Sequence, residues 1–333
     1  MDTSALATTD AWVDRPVLVA GGAGFIGSNL VHRLDALGAR VRVVDALLPG
    51  GGGEPFNLHG VSARVTVSRA DLRDARALPA LVEGQATVYN LAAQTSHAES
   101  MTDPLEDLSI NVQGQLNLLE ACRRHAPRAR IVFASTRQVY GVPRTLPVDE
   151  SHPTDPVDVN GVHKLAAEGH LTVYRRVHGL GGCALRLTNT YGPRMRIRDA
   201  RQMFVGQWIR SVLRDEPFEV WGGGQLRDLA YVVDVVEALL RAASPGLEGA
   251  TYNVGGSPPV SLAALAEALV RTAGRGGFRV VEYPASRRRI DIGDYHADDR
   301  RFREATGWAP RVGLEDGLAR TLAYFREHLE RYA

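Results

Sequence analysis

Hydrophobic positions along the chain switch period at regular intervals. From Pro16 onward, short β-branched runs such as VLVA, VRVVD, RVTVSRADL, VYNLAA and IVFAST alternate with longer stretches at helical spacing. Runs of that kind fit strands buried on both faces, so the alternation predicts a parallel sheet covered by helices on both sides. Between residues 26 and 38, Ile26, Leu30, Leu34 and Leu37 recur every three or four residues, and Gly38 supplies a C-terminal cap. A second helix is expected from about Leu108 to His125, ending before Pro127. Beyond about residue 180 the rhythm loosens. Glycine- and proline-rich connections at GPRMRIR, WGGGQLRD and NVGGSPPVSL predict a smaller C-terminal lobe there. The first dozen residues lack periodicity and are expected to fray, and Gly50 to Gly53 read as a mobile loop.

Composition narrows the class. The 333 residues are 44% hydrophobic, enough to bury a core without disulfides or metal, and the length suggests two domains or one large sheet with an appendage. Thirty-nine Lys and Arg oppose 38 Asp and Glu, a formal charge of +1, so no general field attracts nucleic acid or an anionic membrane. Any anion must be caught locally. Cys122 and Cys183 are the only cysteines and are expected to be buried thiols in a reducing cytosol. No Cys/His cluster has metal-ligand spacing. An acidic start and the absence of any long uncharged apolar window predict a cytoplasmic protein without a membrane span.

Directly after VLVA stands Gly21-Gly22-Ala23-Gly24-Phe25-Ile26-Gly27, opening the first helix. Gly21 permits a tight turn, Gly24 lets the backbone approach a pyrophosphate, and Gly27 lets helix and strand pack closely, while the helix start offers free N–H groups to phosphate. The second strand ends in Asp45, whose carboxylate suits the ribose hydroxyls of NAD and repels the 2′-phosphate of NADP. With these residues the chain resembles the extended short-chain dehydrogenase/reductases, specifically the NAD-dependent nucleotide-sugar epimerase/dehydratase family, from Pro16 to about Arg326. GGAGFIG fits the family's GxxGxxG. Asp71-Leu72 match its acidic and apolar pair at the adenine, Leu91-Ala92-Ala93 its fourth-strand turn, and Asn111-Val112-Gln113-Gly114 its helix motif. The resemblance implies an α/β fold: a doubly wound parallel (Rossmann) sheet over residues 13–185, completed by later segments, and a mainly nucleotide-sugar-binding lobe over 186–333. It places Gly21, Gly24, Phe25, Ile26, Gly27, Asp45, Asp71, Leu72, Leu91, Ala92, Ala93, Asn111 and Lys164 on the cofactor.

In this family a Ser or Thr, a Tyr and a Lys act together, the Tyr taking a hydroxyl proton while hydride leaves for NAD. Thr136, in ASTRQVYG, and Lys164, in HKLAAE, stand at two of these places; the third holds Asn160. A phenol of reference pKa near 10 can be shifted to act as a base, whereas a carboxamide has no usable proton equilibrium near neutrality. Asn160 can still position a sugar hydroxyl. Either another residue supplies the base, or the chain binds its ligands without ordinary turnover. Tyr140, His163, Asp158 and His97 are the nearby candidates. Tyr140 belongs to a strand end, and His163 adjoins Lys164 on a helix and should point elsewhere by about 100°.

The family's 4,6-dehydratases carry Asp-Glu after the Thr, where this chain has Arg137 and Gln138, so elimination of that type is disfavoured. Arg137 suits a substrate carboxylate or hydroxyl. The resemblance further places Gln94, Gln138, Asn189 and Arg227 at the substrate. Arg227 would grip the diphosphate through paired hydrogen bonds, and Arg289 is the nearest substitute for a second family arginine. Arg196 and Arg198 are expected to be solvated. The activity implied is that of an NAD-dependent epimerase or oxidoreductase acting on a nucleotide-diphosphate sugar through a transient keto sugar. A homodimer built on a four-helix bundle is implied as well.

Overall fold

A computed structural model describes residues 11–199, 203–256, 258–285 and 289–332 of the chain. The stretch expected to fray falls largely outside these. The β-branched runs form β1 (Pro16–Ala20), β2 (Arg40–Asp45), β3 (Val65–Arg69), β4 (Thr87–Asn90) and β5 (Arg130–Thr136), and β6 (Gly182–Leu187) follows beyond them. Farther on come β7 (Asn189–Tyr191), β8 (Pro217–Trp221), β9 (Leu226–Arg227), β10 (Leu229–Tyr231), β11 (Thr251–Val254), β12 (Val260–Ser261) and β13 (Gly277–Val281). One seven-stranded sheet runs in the order β11-β6-β5-β4-β1-β2-β3, every pairing parallel. The predicted doubly wound sheet is therefore present, and β11 is the later segment that completes it.

Alternation along β1 explains how two helix layers are held. Val17 and Val19 join one buried cluster with Leu30, Val31 and Leu34 of α1 (Phe25–Ala36), while Leu18 and Ala20 join a second on the opposite face. Each of those three α1 side chains is fully buried, worth roughly 1.5–3 kcal/mol apiece. After the short α2 (Leu78–Val82), the second face is covered by α5 (Gly114–His125) and α6 (Val159–His178), whose Leu118, Leu119, Ala167 and Leu171 belong to that cluster.

The helix expected from Leu108 to His125 is not regular. Behind α3 (His97–Thr102) and α4 (Pro104–Leu108), the chain makes a widened π-type turn over Ser109–Gln113 before α5 begins. Such turns recur at functional sites. Here the turn carries Asn111 to the backbone of Gln94, with Asn111 Nδ2 donating to the Gln94 carbonyl at 3.0 Å and Asn111 Oδ1 accepting its N–H at 3.1 Å.

The C-terminal lobe is built from strand pairs rather than a second large sheet: β7 with β10, β8 with β13, and β9 with β12. Helices α7 (Phe204–Leu213), α8 (Val232–Ala242), α9 (Leu262–Ala273), α10 (Arg300–Thr306) and α11 (Leu314–Tyr332) pack around them. The sheet order reverses between β1 and β4, and at such a switch point a crevice opens beyond the strands' carboxyl ends. The lobe stands beside that crevice.

Candidate active site

The crevice is a cleft of about 530 Å³, bounded by the loops after β1, β2, β4, β5 and β6. At one end is the glycine turn. Gly21 has φ +76°, and a Cβ there would lie 2.6 Å from the Ala92 nitrogen; a Cβ on Gly27 would collide with the Gly21 carbonyl. Gly24 is the cap residue of α1 with no side-chain cap, and the first turn has no acidic residue, so amide N–H groups face the cleft unopposed by carboxylate. Asp45 accepts N–H bonds from Ala23 and Leu47, both at 3.0 Å, and keeps lone pairs for a diol; burial raises its carboxyl above the ordinary value. These features fit a dinucleotide. Phe25, Ile26, Asp71, Leu72, Leu91, Ala92 and Ala93 line the same space. Asp71 is engaged by Arg73, whose guanidinium holds its carboxyl below the usual range.

Toward the other end, β5 finishes at Thr136, whose Oγ1 accepts the Gln138 N–H at 3.2 Å and so leaves its own proton for a ligand. Lys164 and Asn160, four residues apart on α6, face the same space. Lys164 Nζ donates to the Ala134 carbonyl at 3.0 Å and sits 4.9 Å from the Phe133 ring centroid. Burial lowers its ammonium to about 8, with Asp107 and Glu168 opposing the shift. It is also the sole lysine of the chain, against 38 arginines. Arginine keeps its charge at any working pH, whereas a buried lysine can be tuned.

Asn160 is almost fully buried. Its Nδ2 donates to the Gln94 carbonyl at 2.9 Å and to Asp107 Oδ2 at 3.3 Å. Both partners are acceptors, so the amide is oriented with Oδ1 as its free end. Asp107 also takes Asn111 Nδ2 at 3.0 Å and His163 Nδ1 at 2.6 Å, which draws His163 away from the cleft as its helical angle predicted. Tyr140 is buried too, donating to Asn253 Oδ1 at 2.7 Å, and burial pushes its phenol up to about 12. His97 is different. Opening α3, it lines the cleft with its side chain about two-fifths exposed, and its Nδ1 stands 2.9 Å from Asp158 Oδ2, without the alignment of a hydrogen bond. Asp158 is buried; burial pushes its carboxyl up, but His97, the Gly161 N–H and Gln138 Nε2 outweigh that and hold it below the ordinary value.

The residues expected at the substrate separate into two groups. Gln94, Arg137 and Asn189 line the cleft. Gln138 does not: it turns inward to Asp158; nor does Asn111, expected on the cofactor, which clamps Gln94 from behind. Arg227 lies outside the lining, held by Asp291 Oδ1 at 2.9 Å and by the Leu226 and Gly293 carbonyls, and Arg289 is exposed and also outside it. Arg196 departs from the expected solvated state, since it binds Asp199 and the Gly50 and Gly51 carbonyls and so ties down the glycine-rich loop. A depression of about 660 Å³ opens beside Arg15, His125 and Arg130, at the amino ends of β1, β4 and β5, and contains none of these side chains. Among the described residues no helix is long and apolar enough to cross a membrane, and no cluster could hold a metal ion.

Known proteins resemble this chain over most of its length. The UDP-glucose 4-epimerase of Mycolicibacterium smegmatis is 34% identical over 313 residues, covering 93% of this chain and 98% of that protein. The structure of the Thermus thermophilus UDP-glucose 4-epimerase complex with NAD gives a TM-score of 0.81 at 34% identity, covering 93% of this chain and 99% of that one. MoeE5 in complex with UDP-glucuronic acid and NAD gives 0.82 at 33% identity, covering 94% and 99%. Residues 17–255 match the model of one family, and the chain belongs to it: the NAD dependent epimerase/dehydratase family.

Proposed function

We propose that the protein is an NAD-dependent nucleotide-sugar epimerase. One observation carries the reading: a single cleft joins the glycine cradle and Asp45 to Thr136 and Lys164. NAD, when bound, supplies the acceptor for a hydride from a ring carbon. The chain's residues handle the proton. The hydroxyl on the reacting carbon loses its proton to His97 Nε2, while the C–H hydrogen leaves with its electron pair and the carbon becomes a ketone. Return of the hydride to the opposite face of the ketone, with the proton restored to its oxygen, gives the epimer. Asp158 balances the charge that His97 gains, Thr136 donates its hydroxyl proton to the substrate oxygen, and the Lys164 ammonium favours developing negative charge. Asn160 Oδ1 accepts a neighbouring hydroxyl and orients the ring.

His97 takes the proton in this scheme because Asn160 lacks a usable equilibrium and the other candidates are committed elsewhere. The test is direct. Purified protein is incubated with NAD and with UDP-glucose or UDP-glucuronic acid, and the C4 epimer is sought by NMR of the recovered sugar nucleotide. Epimer formation supports the reading. Tight binding without epimer or NADH would replace it with a second one, favoured by Asn160 itself: a binding protein for NAD and a sugar nucleotide that has given up turnover.

The assembly proposed is a homodimer through α5 and α6. On α6, Val162, Ala166, Gly169, Val173 and Val177 fall on one stripe, and its three larger apolar members, Val162, Val173 and Val177, are half to two-thirds exposed. Small and β-branched residues at such spacing suit close helix packing. Cys122 and Cys183 are unpaired and buried, as expected, and burial raises each thiol to about 12, which suits a reducing cytosol.

A further inference from the structure

Arg137 carries a charge to which, among the described residues, no carboxylate is bonded. Its side chain is partly buried, yet the partner of Nε at 3.0 Å and of Nη2 at 2.7 Å is one neutral oxygen, Asn189 Oδ1, and Nη1 is buried with no partner. Its flat face rests 5.3 Å from the ring centroid of Tyr295, whose hydroxyl is likewise buried and unpartnered. Among the described residues no carboxylate is bonded to Arg137, whereas the two buried arginines nearby each have one: Arg186 binds Glu168 and Arg227 binds Asp291. A cation held off water with no carboxylate bonded to it is unfavourable: Asp228 and Asp291 act on Arg137 only from a distance, and burial, followed by the neighbouring Arg227, outweighs them and lowers the guanidinium to about 10. A ligand anion would remove that penalty.

The position of Arg137 says which part of a ligand brings the anion. It follows Thr136 directly, on the turn that ends β5, and both line the cleft at the end where Lys164 and Asn160 stand. The Asn189 amide, with its oxygen taken by Arg137, turns its NH₂ group outward as a second donor. A guanidinium edge beside an amide NH₂ suits a planar oxyanion.

We propose that Arg137 and Asn189 form a receptor for a carboxylate on the sugar ring, so that the preferred substrate is a nucleotide uronic acid rather than a neutral nucleotide hexose. The inference rests on the nucleotide-sugar reading above. An oxyanion could also come from the diphosphate, and the test separates the two.

Calorimetric titrations of the NAD-loaded protein use UDP, UDP-glucose and UDP-glucuronic acid. The wild-type chain should bind UDP-glucuronic acid roughly 10- to 100-fold more tightly than UDP-glucose, the range of a buried charge-assisted pair. Arg137→Gln should abolish that preference and leave affinity for UDP unchanged. Equal binding of the two sugar nucleotides by the wild-type chain overturns the proposal without any variant. Weaker binding of UDP itself by Arg137→Gln overturns it too, since the arginine would then hold the diphosphate. Absence of UDP binding to the wild-type chain removes the nucleotide-sugar reading and this inference with it.

Discussion

Lys164 offers a measurement that few proteins allow. As the sole lysine of the chain, it gives a single side-chain signal when lysine is isotopically labelled, so its ionisation can be followed alone. The side chain is buried, and burial brings its ammonium from the ordinary 10.5 down to about 8. At roughly 1.4 kcal/mol per pH unit, that difference corresponds to about 3 kcal/mol. The sign follows from proton counting. Between about pH 8 and 10.5 the unfolded chain keeps a proton on Lys164 that the folded chain has released, so stability rises with pH through that window. Below it, the folded protein bears the full cost of a buried ammonium.

Two assays check this. NMR titration of the labelled lysine in the cofactor-free protein should give a midpoint near 8. Urea denaturation should show Lys164→Met more stable than wild type at pH 7 by about 1–3 kcal/mol, the gain reduced by loss of the bond to the Ala134 carbonyl. The advantage should shrink by pH 10, and tyrosine ionisation, common to both proteins, cancels in the comparison. The variant should be inactive despite its stability. A lysine midpoint at or above 10, or a Met variant less stable at every pH, would refute the reasoning.

Three further outcomes are expected. His97→Gln should lower kcat/KM by about 100- to 10,000-fold with NAD affinity preserved; an unchanged kcat/KM would dismiss His97 as the base. Glu168→Ala strands the buried Arg186 guanidinium and should cost about 3–5 kcal/mol in denaturation, whereas Glu168→Leu with Arg186→Met should cost much less; equal losses would contradict the charge argument. A Val173→Glu, Val177→Glu double variant should run as a monomer in light scattering while wild type runs as a dimer. A monomeric wild type ends the dimer proposal.

Much of this protein can be read from local pattern. Short β-branched runs and period-3.6 hydrophobicity place β1 to β5 and α1, because a strand inside a parallel sheet and a helix buried on one face tolerate few other arrangements. The glycine turn and Asp45 are equally legible, since close backbone approach and a diol-binding carboxylate leave fixed residue types at fixed spacing. The sole lysine is a signal of the same kind: in a chain whose other strong cations are all arginine, its position marks a place where a tunable ammonium is needed.

What the sequence leaves open depends on which groups use up each other's hydrogen bonds. No local pattern tells that Gln138 turns inward to Asp158, that Asn111 stands behind Gln94, or that Asp291 occupies Arg227. Each pairing joins residues 17 to 64 positions apart, brought together only when the sheet and lobe close. The same closure leaves His97 in the cleft against Asp158, and Arg137 against a neutral amide. Residue type determined which groups could carry charge or accept a proton; the tertiary structure decided which remained free to do so, because a donor or acceptor satisfied within the chain has little left to offer a ligand.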